Sequence, residues 1–230
     1  MTLEIQKYLQ KYDSSNLEAG LAALDETYGI FFRRHKEYPN LYLFKYNQIK
    51  SPMGERIVQN CRGIIVDRDN DWSIVSMAYE KFFNSAEGHA ATLDWFTAAV
   101  QEKLDGSLAV LYPYKGQWHV ATSGTPDASG TVSGTTMTFK EYFWNTFLVY
   151  DEDMLPLVDC GYCFYFELRG LANRVVVVHP ETHLALLGAR NLITLQEISA
   201  KDAARIYFND KIPHVKSFPL TNITEILQSF

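Results

Sequence analysis

The sequence predicts an α+β fold, and three observations predict it. Short runs rich in aromatic and β-branched residues recur with Asp, Asn, Gly and Pro between them, as antiparallel hairpins require. Stretches with apolar residues at helical spacing lie between those runs. No internal repeat or low-complexity segment interrupts the pattern, and strands in hairpins with helices between them define the α+β class.

The elements follow in order. Leu3, Ile5, Tyr8, Leu9 and Tyr12 give a first helix, and Asn16 to Thr27 a second, with Ser14-Ser15 as caps. Ile30-Phe31-Phe32 and Leu41 to Tyr46 are strand-like, and Pro39-Asn40 turns the chain between them. Ser51 to Asn60 forms a loop or short helix before a strand at Cys61 to Asp67. Asp69-Asn70-Asp71 then turns into Ser73 to Met77, which makes a hairpin. For Glu80-Lys81-Phe82-Phe83-Asn84 the aromatics alone favour a strand end with Phe82 or Phe83 in the core. Thr92 to Val100 fits a short helix with Leu93, Phe96 and Val100 along one face.

A second hairpin pairs Leu108 to Tyr112 with Gln117 to Ala121 across Tyr114-Lys115-Gly116. Ser123 to Thr136 is a long Gly/Ser/Thr-rich loop, and Phe139 to Tyr150 an aromatic-rich helix. Strands are expected at Tyr162 to Leu168, Val175 to Val178, Leu184 to Leu187 and Leu192 to Leu195. Helices are expected at Lys201 to Phe208 and Ile223 to Phe230.

At 230 residues, with 47% hydrophobic and 21% charged, the chain can bury a sizeable core as one globular domain, residues 1–230. The formal charge of −6 excludes a generally basic nucleic-acid coat, so RNA or DNA would need a local basic groove. No run approaches the roughly 18 apolar residues of a membrane span. The polar start, Met1 to Asp13, does not read as a signal peptide, so no membrane partner and a cytoplasmic location are expected.

Three cysteines do not suggest a disulfide framework. Cys160, Cys163, His179 and His183 read C-x2-C-x15-H-x3-H, a zinc-finger spacing. Such a finger carries its histidines on a helix. Here Pro180 and the β-favouring run before it argue against one, so the spacing is read as coincidence.

The chemistry concentrates in Glu102-Lys103-Leu104-Asp105-Gly106-Ser107. A lysine at a strand edge, beside an acid and a glycine, can be a nucleophile presented to a ligand. Gly106 lets the backbone approach a phosphate or turn sharply. The plain alternative is a solvated Lys103 beside an ordinary Asp-Gly turn.

Lys-x-Asp-Gly-Ser resembles motif I of the covalent nucleotidyltransferases: ATP-dependent DNA ligases, RNA ligases and mRNA-capping enzymes. Cys-Arg-Gly-Ile-Ile-Val (61 to 66), Glu-Lys-Phe-Phe-Asn (80 to 84), Phe-Glu-Leu (166 to 168) and Asn-Arg-Val-Val-Val (173 to 177) accompany it in order. Phe44-x-Tyr46-Asn47 lies upstream and Leu186-Leu187-x-x-Arg190 downstream. From about Tyr42 to about Asn191 the set resembles the nucleotidyltransferase domain of the T-even phage RNA ligases, which repair broken tRNA.

That resemblance implies a ligase-type, ATP-grasp-like fold with mostly antiparallel sheets flanked by helices. It implies ATP and Mg²⁺ or Mn²⁺ as cofactors, and RNA with 5′-phosphate and 3′-hydroxyl ends as partner. An amine attacks phosphorus only when neutral, and burial or neighbouring cations lower a lysine's pKa. Lys103, between an expected apolar helix and an apolar strand, would have that environment. By resemblance Lys103 accepts AMP, Arg62 contacts ribose and α-phosphate, and Lys81 the outer phosphates. Asp105 and Gly106 shape the turn, Glu167 faces ribose or metal-bound water, and Phe83 and Tyr46 line the site.

The chain departs from the family twice. Where the family usually carries a basic residue before a Gly-Ser pair, this chain has Thr122-Ser123-Gly124-Thr125, which puts Ser123 there. The acidic-glycine and Lys-x-Lys strands (motifs IV and V) are not found, nor is the C-terminal substrate domain. A truncated piece, half of a split ligase completed by a second chain, or a degenerate binding member would each fit, with weak or no sealing by the chain alone. A DNA ligase or a capping-type enzyme is the other alternative.

Overall fold

The computed structural model describes residues 2–12, 16–150, 155–157, 160–173 and 176–228. Two antiparallel sheets face one another, each backed by helices on its outer side. Helices α1 (Glu4–Gln10) and α2 (Leu17–Tyr28) lead into strands β1 (Ile30–Arg34) and β2 (Leu41–Tyr46). After α3 (Arg56–Asn60), β3 (Arg62–Asp67) and β4 (Ser73–Ser76) complete a four-stranded sheet in chain order. The period-two alternation of β2 assigns its faces. Tyr42, Phe44 and Tyr46 pack with Ile5, Leu9 and Leu24 of the helices, while Leu41 and Leu43 face the second sheet.

A two-residue strand, β5 (Val100–Gln101), precedes the lysine turn. The second sheet comprises β6 (Ser107–Tyr114), β7 (Gln117–Thr122), β8 (Tyr162–Arg169), β9 (His183–Asn191) and β10 (Glu197–Ser199), in the order β10-β9-β8-β6-β7. Its outer face is covered by α4 (Phe139–Phe147) and α5 (Ala200–Phe208), where Phe143, Phe147 and Phe208 meet Phe164 and Phe166 of β8. Each such fully buried phenyl contributes on the order of 2–3 kcal/mol. Both helices start on side-chain caps: Thr138 accepts the Glu141 amide at 3.2 Å, and Ser199 the Asp202 amide at 3.0 Å. β11 (Ser217–Phe218) pairs with β5, and α6 (Ile223–Gln228) follows.

Between the sheets Leu41, Leu43 and Ile65 meet Val110, Tyr112 and Tyr165, a dry layer that fixes one sheet on the other. The β6–β7 hairpin closes through Lys115 and Gly116, both at positive φ, as a tight two-residue hairpin turn demands.

Four expectations are corrected. Thr92 to Val100 is not a helix: it forms an exposed turn with Leu93 and Phe96 in solvent, and only Val100 joins a strand. A stretch this short holds a helix only when its apolar face is packed, and this face is not. Val176 to Val178 are not a strand, because Asp105 takes the Val176 and Val177 amides. Leu192 to Leu195 is a turn in which the Asn191 side chain accepts the Ile193 and Thr194 amides, and the next strand starts at Glu197. Glu80 to Asn84 is not a strand end with a core aromatic: Phe82 is 58% exposed, and Phe83 lies under the Lys81 ammonium outside the core clusters. Ser14, Ser15, Arg174, Val175 and Phe230 lie outside the described residues.

Of the zinc-spaced residues, Cys163 is buried between the sheets with its thiol on the Met77 carbonyl. His179 contacts the Asp105 carbonyl, and His183 pairs with Glu181 at the start of β9. No helix among the described residues is long and apolar enough to cross a membrane.

Candidate active site

The dry layer between the sheets ends at a polar cleft, and three segments meet there. Glu167 continues the row of Cys163 and Tyr165 on β8, so alternation aims it between the sheets while Phe166 and Leu168 face the helices. Arg62 opens β3 opposite Lys45 of β2. The Lys103 turn connects β5 to β6, tied down where Glu102 donates its amide to the Lys216 carbonyl at 3.0 Å.

Glu167 is the most perturbed carboxyl of the cleft. Burial raises its pKa from 4.5 to about 7, opposed by the Lys103 charge, by the Gly106 N–H that it accepts, and by Arg62. Lys103, Gly106 and Arg62 therefore converge electrostatically on one half-buried carboxyl. Gly106 is required by close approach, since a Cβ there would collide with the Leu168 carbonyl oxygen and come within 3.1 Å of Glu167 Cγ. Asp105 points the other way. Its Oδ2 accepts the Val177 and Val176 amides at 2.6 and 2.8 Å, and those two bonds hold its pKa below the ordinary carboxylate value. Its carboxylate anchors the segment after β8.

Lys103 itself is exposed, so the buried setting expected for the nucleophile is corrected to a solvent-facing one. The remaining expected residues divide. Arg62 lies over the Phe82 ring at 4.7 Å, and its buried Nη1 has no hydrogen-bond partner among the described residues. Tyr46, Lys81 and Phe83 line a separate cavity of about 630 Å³ on the helix side of the first sheet, with the Lys81 ammonium over the Phe83 ring at 4.5 Å. The structure thus groups Arg62, Lys103, Asp105, Gly106 and Glu167, and sets Tyr46, Lys81 and Phe83 beside them.

Sequence reading missed Lys45, the unassigned position of Phe44-x-Tyr46-Asn47. The signal was there. On β2 it continues the inward row of Leu41 and Leu43, a lone charge at the end of an apolar stripe.

The two-sheet α+β domain shares its fold with a ligase of known structure. It superimposes over 92% of its length on 53% of a protein named as an ATP-dependent DNA ligase from Aquifex aeolicus, with a TM-score of 0.51 and 13% identity. At that identity the likeness is one of fold. The chain belongs to the RNA ligase family, whose family model matches residues 60–228. It is 30% identical over 188 residues to the RNA ligase of Rhodothermus phage RM378, covering 68% of this chain and 42% of that protein. It is 28% identical over 190 residues to a protein of Autographa californica nuclear polyhedrosis virus named as a bifunctional polynucleotide kinase/RNA ligase, covering 75% and 27%. The match thus spans less than half the length of either relative.

Proposed function

We propose that this chain is the adenylation domain of an ATP-dependent RNA ligase, with Lys103 as nucleophile. The Lys103 amine, after giving one proton to solvent, attacks the α-phosphorus of ATP and loses a second proton as the phosphoramidate forms. A P–N bond forms, the bond to the β-phosphate oxygen breaks, and pyrophosphate leaves. An RNA 5′-phosphate oxygen then attacks the same phosphorus and releases the lysine. Finally a 3′-hydroxyl attacks the activated 5′-phosphate and AMP departs.

The observation that carries this reading is the convergence of Lys103, Arg62 and the Gly106 amide on Glu167 at the mouth of the cleft. Arg62, a half-buried cation within electrostatic reach of Glu167, suits ribose or α-phosphate contact. Glu167 suits a ribose hydroxyl or metal-bound water. Lys81, with Phe83 and Tyr46, suits the outer phosphates and the walls once the site closes on the nucleotide. Asp105 and Gly106 hold the turn that presents the amine. Bound Mg²⁺ or Mn²⁺ would neutralise charge on the departing pyrophosphate. One cleft carboxylate fits a metal carried mainly on the nucleotide's own phosphates.

In the same reading the facing sheets form an ATP-grasp-like cradle. The substrates are cytoplasmic RNA breaks with 5′-phosphate and 3′-hydroxyl ends, such as cleaved tRNA.

The test is the intact mass of the protein after incubation with ATP and Mg²⁺, beside Lys103→Ala. One added AMP in the wild type and none in the variant is expected. An unmodified wild type, or an adduct that survives Lys103→Ala, would overturn the assignment.

A further inference from the structure

The end of the cleft nearest β7 holds a second built cluster. Lys45 pairs with Arg62 across a bulge that leaves Gly63 unpaired, so both side chains turn toward the second sheet. Gly63 has φ +91°, and its backbone lies against Ser123: a Cβ there would stand 2.9 Å from Ser123 Cα. Only glycine allows that approach, and the approach brings the sheets together at this point. It delivers Ser123 Oγ to 3.2 Å from Lys45 Nζ, with Gly124 beside them.

The charge at this spot is one-sided. Lys45 is half-buried, and burial together with Arg62 and Arg33 lowers its pKa. Its hydrogen bond goes to a neutral hydroxyl, and among the described residues no carboxylate pairs with it or with Arg62. Arg62 has Glu167 within electrostatic reach, but no carboxylate of the described residues acts on Lys45, and a partly buried cation in that state is costly unless a ligand supplies the counter-charge. A tetrahedral oxyanion could take the ammonium and the hydroxyl together, with the Arg62 guanidinium adding positive charge beside them. Arg62 opens β3 opposite Lys45 and also lies within electrostatic reach of Glu167, as does Lys103, so an anion here would share the end of the sheets that carries the lysine turn.

We propose that Lys45, with the Ser123 hydroxyl and Arg62, binds a phosphate in the polyphosphate tail of the incoming nucleotide. Lys45 thereby supplies from β2 the positive charge that the family resemblance leads one to expect at position 123. This rests on the adenylation reading, and the experiment separates the two.

Sodium tripolyphosphate, ATP and a 5′-phosphorylated oligonucleotide are titrated calorimetrically into the 230-residue protein without metal. The wild type is compared with Lys45→Met, Lys45→Arg and the swap Lys45→Ser/Ser123→Lys. Lys45→Met is expected to bind tripolyphosphate roughly ten- to a hundredfold more weakly, the loss of one charge-assisted hydrogen-bonded contact. Lys45→Arg keeps most of the affinity. The swap regains it, because the ammonium returns to the same place from β7.

Unchanged tripolyphosphate affinity in Lys45→Met, absence of binding by the wild type, or a loss confined to the oligonucleotide overturns the proposal. Intact-mass adenylation with ATP and Mg²⁺ completes the test. Wild-type KM for ATP in Lys45→Met overturns the role of Lys45 and leaves the adenylation reading standing. A wild type that takes no AMP, while Lys45→Met still loses tripolyphosphate, overturns the adenylation reading and supports the anion site.

Discussion

Replacing Glu167 with Gln is expected to stabilise the protein at neutral pH, by an amount that grows as pH rises. The carboxyl is pushed from 4.5 to about 7 chiefly by burial, even though Lys103, the Gly106 N–H and Arg62 favour its ionised form. A pKa raised that far on folding disfavours the native carboxylate by at most about 3 kcal/mol. The side chain keeps part of its exposure, so solvent screening brings the expected figure to about 1–2 kcal/mol.

The sign follows from proton binding. Between pH 4.5 and about 7 the native state holds the proton more tightly than the unfolded chain, so the contribution is fully present below 4.5 and is lost as pH rises through about 7. Gln keeps the shape and can accept the Gly106 N–H, but it has no charge to bury. For a chain of this size the gain corresponds to roughly 2–8 °C in Tm. Thermal melts of both proteins from pH 4.5 to 8, with EDTA and without nucleotide, should show the smallest difference at 4.5 and the largest at 8. A variant that melts below the wild type at pH 8, or a difference constant across the range, would refute the burial argument. Adenylation should fall in the same variant, since a strained carboxyl kept for function trades stability for activity.

Gly106→Ala should cost about 3 kcal/mol and lower Tm by roughly 6–12 °C, because its Cβ meets the Leu168 backbone rather than a movable side-chain end. Asp105→Ala should speed hydrogen exchange at Val176 and Val177 several-fold and leave the β6–β8 amides unchanged; equal protection in the variant would show that the carboxylate does not hold that segment. In the wild type the same protection should persist below the ordinary aspartate pKa and vanish as pH falls through the lowered one. Nicked RNA offered to the 230-residue chain with ATP should be sealed weakly or not at all, and efficient joining on a denaturing gel would contradict this.

What was legible in the sequence was whatever alternation or helical spacing encodes. The strands over Leu41 to Tyr46 and Tyr162 to Leu168 show their two faces directly, and the helix over Lys201 to Phe208 its one. What was not legible depends on partners far away in the chain. Val175 to Val178 have strand composition, but a side chain 71 and 72 residues earlier captures the Val176 and Val177 amides. Thr92 to Val100 has a helical stripe, but no surface packs on it. For the site, the resemblance named Lys103, Arg62 and Glu167, and the fold brings their charges together. Lys45 escaped because a motif written with an x hides that position, whereas the pleat of β2 exposes it.

The bulk charge and the cleft then fit one argument. A chain of net charge −6 repels nucleotides and RNA at long range, so recognition has to come from a local concentration of cations. Lys45, Arg62 and Lys103 provide it, two of them half-buried where salt screens them least. Of the two carboxyls within reach, Asp105 is tied to the Val176 and Val177 amides, and Glu167 is raised to about 7 by burial, so near neutral pH Glu167 offsets less than a full charge. If the slot takes a polyphosphate as proposed, the negative net charge of the chain disfavours phosphate contact elsewhere. On that reading the burial that makes Glu167 a poor anion also leaves the slot more positive for the incoming phosphates.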